Sequence, residues 1–225
     1  MKKYKYVVVG GDSFSATDAG NLVNPGETYG DVVANHFGAK FYNLAISGGS
    51  LQRMNRKILE WCSKDIDKFE DTLIILGITT VDRFEIWSNY QKAWYRIHGG
   101  WEEGWHDDLI AAGAGRNIIK SMKNYFINFY NYNAQITIAN NILIGLQSFL
   151  TLNNIDHIFF DALAPSNKGW NNLVSQENWY KNSEYKSMID FIEKNRDMRL
   201  SEEDSHPNKK AHKYWAGCLL EYINE

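Results

Sequence analysis

Ser13 and His206 are the two residues of this chain whose types and settings suit nucleophilic chemistry together. Ser13 lies in Gly11-Asp12-Ser13-Phe14-Ser15, directly after the first apolar run. His206 lies in Asp204-Ser205-His206-Pro207, just ahead of the last helix-like segment. A serine hydroxyl is a poor nucleophile near neutrality and needs a base within hydrogen-bond reach. Neutral imidazole can take that proton and return it to a leaving group. A carboxylate beside the ring orients it and stabilises the imidazolium. Asp204 is the first candidate for that third role and Glu203 the second.

Each of these residues also has an ordinary reading. Ser13 suits a turn that satisfies backbone groups. Glu202, Glu203 and Asp204 all complement the dipole of a following helix, whether or not one of them does chemistry. Ser15 competes with Ser13, but Ser13 stands at the strand-end turn. His106 is followed by Asp107 and Asp108, yet it lacks the helix start that His206 has. Asp12 is read as organising its loop.

Positioning these groups requires a frame. Tyr4 to Val9 reads as a buried first strand closed by Gly10-Gly11. Glu27 to Phe37 reads as a helix, with Gly38 where a C-terminal glycine belongs. Lys40 to Ala45 is a second strand ended by Gly48-Gly49. Leu51 to Ile66 is helical by the spacing of Leu51, Met54, Ile58 and Trp61. Thr72 to Leu76 is a third strand ending at Gly77. Strand, helix, strand, helix, strand implies a parallel sheet covered on both faces. Ligands bind at the carboxyl ends of such strands, so Ser13, Gly48 and Thr79 are expected on one rim.

Further on, Phe84 to His106 is crowded with aromatic rings, among them Trp87, Trp94 and Trp101. Asn117 to Leu150 reads as one or two helices, broken near Asn131-Tyr132-Asn133. Ile155 to Phe160 is a fourth strand, Ser183 to Lys194 a helix, and Pro207 suits the first turn of a final helix.

Bulk properties narrow the functional class. The net charge is −3 and there is no basic run, which argues against nucleic acid as a partner. No window reaches membrane-spanning length. Lys2-Lys3 precede an apolar stretch far too short for a secretory signal, so a soluble cytoplasmic protein is expected. Cys62 and Cys218 fit no metal spacing and read as packing residues, in keeping with a reducing compartment. There is no His-Glu-X-X-His, no paired Cys-X-X-Cys and no P-loop, so neither metal nor cofactor is expected.

The blocks together resemble the SGNH/GDSL hydrolase superfamily, whose members carry four sequence blocks. Gly11-Asp12-Ser13 is similar to the first block, which places the nucleophile at Ser13. Asn43 to Ser50 resembles the second, and its oxyanion-binding glycine corresponds to Gly48. The third block is normally Gly-X-Asn-Asp but reads Gly77-Ile78-Thr79-Thr80 here, so the asparagine donor is absent. Losing one such donor typically costs about 10²–10³ in turnover. Either Thr79, Thr80 or another asparagine stands in, beside the N–H groups of Ser13 and Gly48, or turnover is slow. The last block is usually Asp-X-X-His. Asp204 stands one residue closer, as in relatives that handle polysaccharide acyl groups. The third block followed by Asp82-Arg83-Phe84-Glu85 also resembles divergent members from phage and environmental sequences.

The resemblance implies a flavodoxin-like three-layer α/β/α sandwich with a central parallel sheet. It implies one domain over 1–225, with an aromatic-rich insertion around 84–115. It further implies a serine ester hydrolase acting through an acyl-enzyme on a small-molecule or glycan ester, with acetyl on carbohydrate the expected group. Trp87, Trp94 and Trp101 are the candidate substrate-binding rings, and core or oligomer-interface packing is their ordinary alternative. Two other functions fit the same residues. One is a non-catalytic glycan-binding or particle-assembly module, and the other an O-acyltransferase. A phage origin would make the protein virion-associated, with host surface polysaccharide as the target.

Overall fold

Val7, Val8 and Val9 are completely buried in the first strand, Tyr6–Gly10 (β1), because both faces of the sheet are covered. The computed structural model describes residues 3–17, 25–64, 66–89, 92–97, 116–163, 170 and 172–225. The main sheet has five parallel strands in the order β2-β1-β3-β6-β7, with β2 Lys40–Asn43, β3 Thr72–Ile78, β6 Asp156–Asp161 and β7 Trp179–Tyr180. The chain leaves β1 toward β2 and then returns across it to β3. The crevice between the β1 and β3 ends is therefore a topological switch point.

The period-two alternation of the strands sorts their side chains into two layers. Val7, Val9, Leu73, Ile75, Ile158 and Phe160 face helices α1 (Tyr29–Phe37), α5 (Met188–Lys194) and α6 (Lys209–Asn224). Val8, Ile74, Leu76, Ile78 and Phe159 face α2 (Leu51–Cys62) and α4 (Tyr132–Leu152). This is the expected three-layer α/β/α sandwich. Cys62 belongs to the second layer, whereas Cys218 sits on α6 across the sheet, and both are free thiols.

The aromatic segment adds a small antiparallel hairpin, β4 Phe84–Ser88 and β5 Ala93–Ile97. Phe84 and Ile97 at its base pack with Met122 of α3 (Arg116–Asn128) and with Tyr125, Phe126 and Tyr130. The described part of 84–115 is thus a hairpin with its own minor core.

Several predicted ends shift, each for a local reason. Helix α2 stops at Cys62 and not at Ile66, because the Ser63 hydroxyl donates to the Glu60 carbonyl. Ile66–Asp71 forms a separate 3-10 helix. Helix α5 begins at Met188 and not at Ser183. The Asn182 carboxamide oxygen accepts the N–H groups of Glu184 and Tyr185, a turn that competes with helix, and Ser187 caps the helix instead. Pro207 precedes α6 and pairs with Arg199 in an isolated bridge, while Asn208 caps the helix. The predicted break at 131–133 is present, with Asn131 capping α4. The two-residue strand β7 was too short to show any periodicity.

His212 of α6 is completely buried between layers. Its Nδ1 accepts the Tyr29 N–H at 3.2 Å, and its ring stacks on Tyr29. Nε2 has no partner among the described residues. Burial drives the imidazole pKa down to about 3. The unfolded chain therefore takes up a proton below about pH 6.5 that the native state refuses, and stability falls as pH falls from 6.5 toward 3. Each pH unit in that window costs about 1.4 kcal/mol. The urea-unfolding free energy of the native chain should drop about 2 kcal/mol more between pH 6.5 and 5 than that of His212→Gln. Equal slopes for the two proteins would refute this assignment.

No helix among the described residues is long and apolar enough to cross a membrane.

Candidate active site

Ser13 sits on a tight turn built around Asp12. The Asp12 carbonyl accepts the N–H groups of Ser15 and Ala16, each at 3.0 Å. Its carboxylate accepts the Phe14 N–H at 2.9 Å. Gly11 is required there, because a Cβ would stand 2.2 Å from Ser15 Oγ. Ser15 is wholly buried, and its hydroxyl accepts Tyr29 OH at 2.7 Å. Its carbonyl accepts Asn43 Nδ2. Ser15 is thus enclosed, with its hydroxyl on Tyr29 and its carbonyl on Asn43.

The last block meets this turn from the other end of the chain. Ser13 Oγ lies 2.9 Å from His206 Nε2, and His206 Nδ1 lies 2.6 Å from Asp204 Oδ1. With the proton on Nδ1, that ring N–H donates to Asp204 and Nε2 is left to accept from Ser13. The same Asp204 oxygen also accepts the His206 backbone N–H at 2.9 Å. A carboxylate two residues upstream can therefore hold the ring, since one short Asx-type turn serves backbone and side chain together. Asp204 is steadied in turn by Ser201 Oγ, which accepts its N–H. Burial pulls the Asp204 carboxyl upward, but the hydrogen bonds and charge of His206 outweigh it and leave it below the usual carboxylate range. Glu203 is exposed and makes no hydrogen bond among the described residues, so geometry separates the two candidates. The Phe14 ring lies 5.5 Å from the imidazole and walls one side of it.

The second block forms a turn pressed against the first. Gly48 has φ +68°, a conformation that disfavours side chains, and Gly49 N–H donates to the Ile46 carbonyl. A Cβ on Gly49 would fall 2.6 Å from the Gly11 carbonyl oxygen, so only glycine lets the loops touch. Among the described residues no hydrogen bond uses the N–H of Ser13 or of Gly48. Both remain available to an oxyanion. Thr79 is buried. Its hydroxyl forms no hydrogen bond of good geometry, although it lies within electrostatic reach of the Asp12 carboxylate. Asn43, the nearest amide of the second block, is committed at both ends, to the Ser15 carbonyl and to the Ala45 N–H.

Sequence reasoning assigned no role to Arg83. Its Nη1 donates to Asp12 Oδ2 at 3.0 Å, and Asp12 is completely buried while Arg83 is 19% exposed. Burial pushes the Asp12 carboxyl up, and Arg83 pulls against that shift most strongly. The sequence signal for it is the Asp82-Arg83-Phe84-Glu85 run that follows the third block. Glu85 of that run pairs with Arg56 of α2 through both carboxylate oxygens.

Trp87 and Trp94 are cross-strand neighbours with ring centroids 5.4 Å apart, and nearly half of each is exposed. The Arg56 guanidinium lies over Trp94. Arg96 of the same hairpin donates to the Ser47 carbonyl, which ties the hairpin to the second-block turn. Trp101 and His106 lie outside the described residues. Among the described residues no three His, Cys, Asp or Glu side chains gather as metal ligands.

A model described as a family of unknown function, DUF6071, matches residues 17–196, a stretch that starts after Ser13 and ends before Asp204. No curated protein matches the chain. Solved structures match across nearly all of it. The psychrotrophic esterase EstA from Pseudoalteromonas sp. is 12% identical, with a TM-score of 0.55 over 98% of this chain and 97% of that one. A lipolytic G-D-S-L family protein from Veillonella parvula is 13% identical, with a TM-score of 0.53 over 98% of both chains. A catalytic mutant of Axe2, an acetylxylan esterase from Geobacillus stearothermophilus, is 14% identical, with a TM-score of 0.52 over 100% and 97%. The fold is that of the SGNH/GDSL hydrolases.

Proposed function

The chain belongs to the DUF6071 family, and from its site we infer a serine ester hydrolase. The observation that carries this reading is the unbroken contact from Ser13 Oγ through the His206 ring to Asp204, at 2.9 and 2.6 Å. In the reaction Ser13 Oγ attacks the ester carbonyl carbon while His206 Nε2 takes its proton. The carbonyl electron pair moves onto oxygen and the Ser13 and Gly48 N–H groups meet the oxyanion. Collapse expels the alcohol, which leaves with the proton from His206. Water, activated by the same ring, then releases the acid from Ser13. Asp204 keeps the tautomer and offsets the imidazolium charge.

Acetyl esters of carbohydrate are the substrates we favour. Exposed indole faces at Trp87 and Trp94 suit stacking on sugar rings, and one structural relative is named an acetylxylan esterase. The test compares p-nitrophenyl acetate, acetylated glycans and long-chain lipid esters, each with and without a glycan acceptor. Acetate release from glycans supports the reading. Turnover of lipid esters alone refutes the carbohydrate assignment, and transfer to the acceptor makes the enzyme an O-acyltransferase. No turnover of any ester leaves the glycan-binding module. Trp87→Ala with Trp94→Ala should cut kcat/KM on glycan esters about tenfold and spare p-nitrophenyl acetate.

A further inference from the structure

We propose that Arg83 supplies the third oxyanion donor, in place of the asparagine missing from the third block; this rests on the reading of Ser13 as nucleophile. Of the side chains expected to stand in, Asn43 is engaged and Thr79 enclosed, while Thr80 is half-buried and carries no charge to meet an oxyanion. Asn43 is bonded at both ends, and the Thr79 hydroxyl is buried next to Asp12. Arg83 emerges from the same β3 loop, which the Arg83 N–H to Thr80 carbonyl bond folds back. One corner of its guanidinium, Nη1, is fixed on Asp12, the residue that precedes the nucleophile. The remaining N–H donors make no hydrogen bond among the described residues, and the side chain keeps an opening to solvent. Asp12 is followed directly by Ser13, whose hydroxyl meets His206, so the anchored guanidinium is tied to the residue next to the nucleophile.

The chemistry suits the position. A guanidinium is planar, permanently charged and carries several donors in a fixed fork. Anchoring one arm on a buried carboxylate holds the others in place before the reaction, which is what an oxyanion site requires. As negative charge grows on the former carbonyl oxygen, the free arm donates to it. When the tetrahedral intermediate collapses, the oxyanion lone pair re-forms the C=O bond as the alcohol leaves with the proton from His206, and the arm is released. No proton leaves Arg83 at any stage.

The competing explanation is that Arg83 only neutralises Asp12. A paired substitution separates the two. Arg83→Met alone would strand a buried carboxylate, so it is combined with Asp12→Asn, which keeps the acceptor for Phe14 N–H. If Arg83 meets the oxyanion, the folded double variant loses about 10²–10³ in kcat on p-nitrophenyl acetate with KM nearly unchanged. Wild-type kcat in that variant, or a loss confined to KM, overturns the proposal. Should the double variant not fold, Arg83→Lys decides. It retains the charge against Asp12 but lacks the second arm, so kcat must fall while the thermal midpoint holds; a wild-type kcat overturns the proposal. A wild-type protein that hydrolyses no ester and takes no fluorophosphonate on Ser13 instead removes the hydrolase reading, and this assignment with it.

Discussion

Replacing Ser13 with alanine is expected to reduce ester turnover by about 10⁶-fold. The reasoning is chemical and does not depend on the substrate. Without Oγ no acyl-enzyme forms, and the site can offer water only its oxyanion donors and binding surface. His206→Ala should cost nearly as much, because a serine held 2.9 Å from its base has no other proton acceptor on that side. The double variant should be hardly worse than either single one, since the two residues act as a unit. A fluorophosphonate should add one phosphonyl group to Ser13, read by mass spectrometry, and none to Ser15. Ser15 is completely buried under Tyr29 and has no base at its oxygen. Strictly additive losses at Ser13 and His206, or labelling elsewhere, would contradict the assigned roles.

Asp204→Asn is expected to lower kcat by about 10⁴ while leaving the backbone turn intact. An amide at this position can still receive the His206 backbone N–H through its oxygen. It cannot both do so and present a charged acceptor to Nδ1, so the ring loses its tautomer and its counter-charge. Glu203→Gln, one residue away, should leave kcat within twofold, because that side chain makes no hydrogen bond among the described residues. The contrast is the useful quantity, since both changes remove one negative charge ahead of the same helix. A large effect at Glu203 with a small one at Asp204 would reverse the assignment.

The alternation of short apolar strands with helical periodicities was sufficient to read the layered sheet. Such a pattern buries its hydrophobic faces by laying helices over a parallel sheet. The N-terminal Gly-Asp-Ser and the C-terminal Asp-Ser-His were legible for a related reason. Their residue types are chemically scarce and sit beside element boundaries that periodicity locates. Local side-chain hydrogen bonds were less legible, which is why the starts of α5 and α6 shifted. Asn182 competes with the helix ladder and Asn208 caps it, through contacts that no periodicity registers.

What the amino-acid order determined by itself was the fold class and the two distant segments, at Ser13 and His206, that meet in the fold. Those properties depend on periodicity and residue chemistry, which are local. The choice of Asp204 over Glu203, the burial of Ser15 and the pairing of Arg83 with Asp12 were decided by tertiary structure. Each depends on distances between segments far apart in the chain or on which way a turn faces. Such distances are set when the two layers of side chains close on the sheet and leave one arrangement that buries them all.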